Sequence, residues 1–481
     1  MIVKMNLRIE QIAKACDGKL VLQGKVQEGS KKVTSVVLDS RLVTADGVFV
    51  ATVGERVDGH KFIPDVFAKG VSLVICEKTP EQVEAEHGVA SDKWGSYLLV
   101  ESSFQALKDI AEFYRSTLSI PFIGITGSVG KTSTKEFIAG VLAEKYQVLK
   151  TEGNYNNEIG VPLTLLRIRE EHEVAVIEMG INQFGEMHRL SKMVRPNVCV
   201  ITNIGQCHLE NLGTRDGILK AKSEIFDFMA EDGIVCLNGD DDKLSTVTEI
   251  KGRKPHFFGL EESKEQEVWA GNIVSKGLWG SDAVLYLNRS ETVELSVSVP
   301  LPGRHMVSNA AAAACVGLHL GLKPEEIARG ISKLSAISGR TNLMRLSHYT
   351  LIDDCYNANP VSMKAAIDLL CMADTGKTAI LGDMFELGEG SDALHGEIGT
   401  YAANAGIERL YCVGESSMHM YHAAKAAVGE GQKVEYFATR QELEKELGDK
   451  PEVLIPYGDT ILLKASHGMQ FEKLIEQKIF E

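Results

Sequence analysis

Residues 122–134 read Phe-Ile-Gly-Ile-Thr-Gly-Ser-Val-Gly-Lys-Thr-Ser-Thr: a short apolar run, a glycine-rich turn and the start of a helical pattern. No other stretch limits the fold so tightly. Glycines let backbone N–H groups turn inward, and a helix N-terminus adds partial positive charge, so a strand feeding such a turn makes a phosphate cradle. Gly127, Ser128, Val129 and Gly130 supply the turn. Lys131 is placed to reach the β- and γ-phosphates of ATP, and Thr132 to hold Mg²⁺, with Ser133 next on the helix. The usual G-x-x-x-x-G-K-[ST] spacing would put its first glycine at position 125, which is Ile; Gly124 is one residue early and Gly127 lies inside the loop. The competing reading is a glycine turn that merely precedes Gly-Lys-Thr. The strand–loop–helix context favours the phosphate loop.

A phosphate loop needs a parallel sheet to hold it, and the surrounding rhythm supplies one. Strand-like runs near 122–126, 173–178, 197–203 and 233–237 alternate with helical patterns near 131–145, 217–230 and 305–319. Such alternation predicts a parallel sheet covered on both faces. The polar–apolar alternation within 267–299 predicts an antiparallel insertion. Before this region, short strands over Thr34–Leu38, Gly47–Val53, Ser72–Cys76 and Ser96–Val100 lead into an amphipathic helix over Phe104–Ser119. After it, strands near 349–353, 377–382, 408–413, 433–437 and 459–464, with helices between and a last helix near 469–479, predict a second doubly wound α/β domain. The expected architecture is α/β in three domains: a small N-terminal domain over 1–103, a central P-loop ATPase-like parallel-sheet domain over 104–336, and a Rossmann-like C-terminal domain over 337–481.

Composition removes some classes of function. The net charge of −15 argues against sequence-independent binding to nucleic acid, which needs a basic footprint. The N-terminal twenty residues contain no signal-peptide apolar core, and the most apolar stretch, Ala310–Leu322, is too short to span a bilayer. Nine scattered cysteines without a C-x-x-C pair read as reduced thiols rather than as a disulfide framework or zinc site. The expected location is the cytoplasm, with no membrane insertion.

Two further residues, Glu178 and His208, sit where open α/β sheets place their ligands, at or past the C-terminal ends of strands. Glu178 closes the strand over Val174–Ile177 and is placed to bind a metal, although a solvent-facing strand-end carboxylate reads equally well. His208 follows another strand, but a lone histidine is more often structural than a ligand. Lys222 lies on a helix, and nothing in a solitary helix lysine points beyond a solvated or salt-bridged face. Asp353-Asp354-Cys-Tyr-Asn-Ala-Asn-Pro360 ends a strand and caps a helix, which explains part of so polar a run.

Taken together these segments resemble the Mur ligase family, ATP-dependent amide ligases that build the peptide of bacterial peptidoglycan. The resemblance covers nearly the whole chain. It rests on Val37-Leu-Asp-Ser-Arg41, Gly47–Ala51, Gly54 and Asp58-Gly-His60; on Thr126–Ser133, Glu152–Gly160, Glu178-Met-Gly180 and Asn203–His208; and on Gly339-Arg340, Asp354 and Tyr356–Pro360. Within the family, Tyr356–Pro360, Leu381–Gly388 and Lys464–Met469 point to the member that joins UDP-N-acetylmuramoyl-tripeptide to D-alanyl-D-alanine. The Asp-Asn-Pro-Arg signature of the diaminopimelate-adding relative is absent.

The resemblance implies ATP and Mg²⁺ as cofactors and two small-molecule substrates, with a monomer expected. It implies that Thr132 and Glu178 hold one Mg²⁺ and His208 a second, and that Lys222 is carbamylated and serves the metal site as an extra carboxylate. Lys131 would face the phosphates, Asn309 the adenine, Arg340 the phosphates and Asp354 the ribose. Ser40 and Arg41 would lie in the UDP-binding part. Met306 stands where the family usually has Asn, so adenine recognition rests on Asn309. A folylpolyglutamate-synthetase-like ligase, a P-loop kinase or GTPase and a non-catalytic nucleotide-binding scaffold are the rivals. The Asp39-Ser-Arg segment and Tyr356–Pro360 speak against the first, and the lack of an Asn/Thr-Lys-x-Asp element against a GTPase.

Overall fold

The computed structural model describes residues 5–480 other than 6, 25, 27, 55, 56, 206, 208, 264, 289, 290, 335–341, 386, 449, 450 and 478. The chain forms two compact units. One comprises Met1–Gly271, Val284–Val297 and Val307–Ser332, the other Asn272–Ala283, Ser298–Met306 and Lys333–Glu481. Three sheets carry the architecture, an α/β fold as the alternation predicts.

The first region runs α1 (Ile9–Ala15), β1 (Lys19–Val21), β2 (Val36–Val37), β3 (Val48–Val50), α2 (Ile63–Ala68), β4 (Leu73–Cys76), α3 (Pro80–His87), β5 (Tyr97–Leu99) and α4 (Ser103–Ser116). Its strands are ordered β1-β5-β4-β3-β2, with β1 alone antiparallel to its neighbour. Both β3 and β4 are buried along their whole length, as inner parallel strands covered on two faces must be. The Ser102 side chain caps α4, which buries Leu107, Ile110, Ala111 and Tyr114 at helical spacing.

The central region runs β6 (Phe122–Thr126), α5 (Lys131–Leu142), β7 (Val148–Lys150), α6 (Gly160–Leu165), β8 (Val174–Glu178), α7 (Glu186–Val194), β9 (Val198–Ile201), α8 (Leu209–Leu212), α9 (Arg215–Ser223), β10 (Ile234–Asn238), β11 (His256–Gly259), β12 (Gln266–Ser275), β13 (Ser281–Asn288), β14 (Thr292–Val299), α10 (Arg304–His319) and α11 (Pro324–Ser332). The strand order is β14-β13-β12-β11-β10-β9-β6-β8-β7. Every pair from β7 to β12 is parallel. Strands β12, β13 and β14 follow one another through connections too short for a parallel crossover, so they form the expected antiparallel insertion. One element differs from expectation. The helix predicted near 217–230 ends at Ser223 and tightens into a 3₁₀ turn over Glu224–Phe226. There the Glu224 carboxylate accepts N–H groups of Gly185 and His188 at the start of α7, so the chain gives up helix to cap its neighbour.

The third region runs β15 (Asn342–Arg345), β16 (Thr350–Asp353), α12 (Pro360–Cys371), β17 (Lys377–Gly382), α13 (Ser391–Asn404), β18 (Arg409–Val413), α14 (Ser417–Ala427), β19 (Lys433–Phe437), α15 (Arg440–Leu447), β20 (Thr460–Lys464) and α16 (Glu472–Glu476). Its order is β15-β16-β20-β17-β18-β19, parallel apart from the edge strand β15. The helix expected near 469–479 is confined to α16, because Gln470 takes a left-handed conformation after a 3₁₀ turn over His467–Met469. Among the described residues, no helix is long and apolar enough to cross a membrane.

Candidate active site

The sheet order sets where a ligand can sit. Strand β6 lies between β9 and β8, with the next strand in sequence, β7, at the edge beyond β8. The crevice at the carboxyl ends of these strands is the place where such sheets bind ligands. The turn after β6 occupies it. Gly127 could carry no side chain: a Cβ there would lie 1.9 Å from Thr202 Oγ1, just past the end of β9. Gly130 takes a φ of 79°, which favours glycine, and is the N-cap of α5. Asn203 holds the turn from outside, its Oδ1 accepting the Val129 N–H at 2.9 Å and its Nδ2 donating to the Val129 carbonyl at 3.0 Å. The Ser128 hydroxyl accepts the Gly205 N–H at 2.9 Å. The loop is therefore tied to the β9 segment by side chains, which leaves its own conformation fixed before any phosphate arrives. Lys131 Nζ donates to the Gly127 carbonyl at 2.9 Å, so the ammonium is folded over the turn. Ser133 follows on the first turn of α5.

Glu178 is the last residue of β8 and 1% exposed. Its Oε1 accepts the Thr132 hydroxyl at 3.1 Å and Asn156 Nδ2 at 2.8 Å. Its Oε2 is buried without a hydrogen bond among the described residues and lies 3.8 Å from Lys135 Nζ. A buried carboxylate oxygen without a hydrogen bond, beside a threonine hydroxyl, is a hard-oxygen donor set that fits Mg²⁺. His208 lies outside the described residues.

Lys222, on α9, is 1% exposed, which overturns the solvated-face reading of the bare sequence. Burial chiefly, and then the nearby Lys131 charge, lower its pKa to about 8. A lysine at that value is neutral far more often near pH 7 than a surface lysine, and only the neutral amine adds CO₂.

Asn309, near the start of α10, accepts the Thr134 hydroxyl on its Oδ1 at 2.9 Å. A Cβ on Gly130 would lie 3.9 Å from the same oxygen. Asn309 is thus brought to the phosphate loop. Arg340 lies outside the described residues. In the third region Asp354 follows β16, and the nearly buried Lys464 donates to its Oδ2 at 2.5 Å and to the Asn357 carbonyl at 3.0 Å. That pair fixes the polar run before α12. Beside it stand three partly exposed groups at the carboxyl ends of β16, β17 and β20. The Tyr356 and His467 rings are 6.2 Å apart, and Phe385 lies close to Gly468. In the first region Arg41 is exposed and forms a two-oxygen pair with Asp39, while the Ser40 carbonyl accepts Lys69 Nζ at 2.8 Å.

The sequence reading passed over four groups that the geometry brings in. Asn156 lay inside the Glu152–Gly160 run and Lys464 at the head of Lys464–Met469, so both were visible as parts of motifs but without roles. Asn203, which grips the loop, likewise headed the Asn203–His208 run, whereas Lys135, one helical turn after Lys131, carried no distinguishing signal.

A fixed glycine-rich loop between β6 and α5, with a buried carboxylate on the neighbouring strand, defines an enzyme of the nucleoside-triphosphate-using class. The comparisons with known proteins name the family within it. The Mur ligase family catalytic domain matches residues 32–115, the Mur ligase middle domain 125–317 and the Mur ligase glutamate ligase domain 339–467. The UDP-N-acetylmuramoyl-tripeptide–D-alanyl-D-alanine ligase of Bacillus subtilis (strain 168) is 34% identical over 454 residues, 93% of each chain. This chain belongs to the Mur ligase family. Among solved structures, a MurF from Acinetobacter baumannii superimposes with a TM-score of 0.86 at 30% identity, covering 100% of both chains. MurF from Thermotoga maritima in complex with ADP matches with a TM-score of 0.74 at 29% identity, over 92% of this chain and 97% of that one.

Proposed function

We propose that this chain joins D-alanyl-D-alanine to UDP-N-acetylmuramoyl-tripeptide with ATP, giving the pentapeptide precursor of peptidoglycan, ADP and phosphate. The observation that carries this reading is the full-length match to ligases of that name, and the phosphate loop within the span matched by the family's middle domain supports it.

The chemistry follows from the substrates. A carboxylate is a poor electrophile, and an amine cannot displace its oxygen unaided. Transfer of the γ-phosphoryl group to it makes an acyl phosphate with a good leaving group. Negative charge spreads over the transferring phosphoryl, and Lys131 supplies positive charge where it builds. The dipeptide amine then attacks the acyl carbon, and phosphate leaves from the tetrahedral intermediate. No protein nucleophile is needed, and burial holds Cys199 and Cys412 as thiols.

Thr132 and Glu178 would hold one Mg²⁺ and His208 a second, with a carbamylated Lys222 as an extra carboxylate at the metal site. When bound, Mg²⁺ supplies counter-charge to the β- and γ-phosphates. Gly127, Ser128, Val129, Gly130 and Ser133 would line the phosphates. Asn309 would meet the adenine, Arg340 the phosphates and Asp354 the ribose, with Ser40 and Arg41 toward the UDP end. The division at 1–103, 104–336 and 337–481 would give each reactant its own domain. A monomer in the cytoplasm is the proposed state.

The test offers amines in separate reactions with ATP, Mg²⁺ and the UDP-tripeptide: D-alanyl-D-alanine, D-alanine, L-lysine and meso-diaminopimelate. Product and ADP with the dipeptide alone are expected. Equal or better turnover with a single amino acid on a shorter UDP-peptide would overturn the assignment.

A further inference from the structure

At the end of the central sheet away from the phosphate loop, three side chains converge that the ligase reaction does not use. His256 opens β11, Glu267 is the second residue of β12, and His319 is the last residue of α10. Strands β11 and β12 run parallel to β6 through the intervening strands, so their N-terminal ends lie at the rim opposite the loop. Glu267 Oε2 stands 2.5 Å from His256 Nδ1 and 3.0 Å from His319 Nε2. The two imidazole centroids are 4.1 Å apart, and the three ligand atoms all lie within 4.8 Å of one another. One carboxylate oxygen thus faces two imidazole nitrogens at once. The Glu267 and His319 side chains are 12% and 15% exposed, whereas His256 is 38% exposed and leaves an approach from solvent.

We propose that His256, Glu267 and His319 form a binding site for a divalent transition-metal ion of the Zn²⁺ type, separate from the Mg²⁺ site, which clasps the end of α10 to β11 and β12. Two imidazoles and a carboxylate are the donors of a borderline ion and a poor set for Mg²⁺. Metal–ligand bonds of about 2.0–2.2 Å in a tetrahedral site put ligand atoms roughly 3.4 Å apart. The present hydrogen-bonded separations need to open by less than about 1 Å, as the ion replaces the shared N–H protons. Cys315, one turn before His319 on α10, is hydrogen-bonded to it and lies 3.6 Å from Cys236 across the core. The Cys315 sulfur is fully buried and faces Cys236, and it is not one of the three clustered ligand atoms, so the ligand set is two nitrogens and one oxygen.

The experiment uses the full-length protein, stripped with a chelator and returned to excess Mg²⁺ to occupy the hard-oxygen sites. Zn²⁺ is titrated by calorimetry against a competing chelator, and Co²⁺ by absorption. One ion per chain is expected, with weak d–d bands and no strong thiolate-to-cobalt band in the near ultraviolet. E267Q and the double variant H256Q/H319Q are expected to lower Zn²⁺ affinity at least tenfold, to lose the Zn²⁺-dependent rise in Tm, and to keep ADP release with Mg²⁺ unchanged. H87A, in the more exposed Asp58–Glu86–His87 group, is expected to bind as wild type does. A strong thiolate band in the wild type, no stoichiometric ion, or undiminished affinity in folded E267Q would each overturn the proposal. The wild-type cobalt spectrum decides even where a variant fails to fold.

Discussion

Lys131 and Lys222 show how position, rather than residue type, decides what a lysine does. Both are near the same loop, and the Lys131 charge raises the cost of charging Lys222. Lys131 keeps its ammonium over the turn, hydrogen-bonded to the Gly127 carbonyl. Lys131→Ala removes the charge that meets the γ-phosphoryl group, and turnover is expected to fall by about 10²- to 10³-fold or more with the fold retained. Circular dichroism and ADP release check both halves; near-normal release by a folded variant contradicts the role. Lys222, buried and lowered to about 8, is suited to carry CO₂ as a carbamate. Lys222→Ala is expected to lose activity and to regain part of it in formate or acetate, whose carboxylate enters the vacated space. If no small carboxylate restores any activity, the carbamate assignment fails. Burial of Lys222 was invisible in the sequence, because the spacing around it suits a surface as well as a core. The family resemblance pointed to the residue, and the packing of α9 supplies the physical reason.

At the scale of elements, the clearest case is the contact of α5 with α11. A Cβ at Gly330 would lie 2.5 Å from Val141 Cα and 2.9 Å from the Gly140 carbonyl. Gly330→Ala gains about 1 kcal/mol of helix propensity, but forcing the two helices apart costs typically 1–3 kcal/mol. The overpacking is expected to win, so the variant unfolds at a lower Tm; an unchanged or raised Tm would show that α11 shifts freely. Long apolar runs such as β6, β8 and β9 were legible because a strand buried on both faces has few other readings. Short elements were not. Val148–Lys150 and His256–Gly259 are three or four residues long and become strands only because a parallel neighbour receives them. The early end of α9 was equally hidden, since it depends on Glu224 reaching across to α7.

For the whole molecule, three sheets in one α/β chain were readable from the rhythm of strands and helices, and the phosphate loop from its glycines. The carboxyl ends of β16, β17 and β20, where Asp354 meets Lys464, were readable as motifs, but their pairing required the fold. The central claim is that ATP activates the carboxylate of a UDP-linked peptide for attack by a dipeptide amine. Labelling both oxygens of the reacting carboxylate with ¹⁸O tests this most directly. With D-alanyl-D-alanine, ATP and Mg²⁺, the account predicts that mass spectrometry finds one ¹⁸O in each phosphate released and the other in the new amide carbonyl. Unlabelled phosphate accompanying amide product would contradict the acyl-phosphate route, and no amide product with the dipeptide would contradict the function itself.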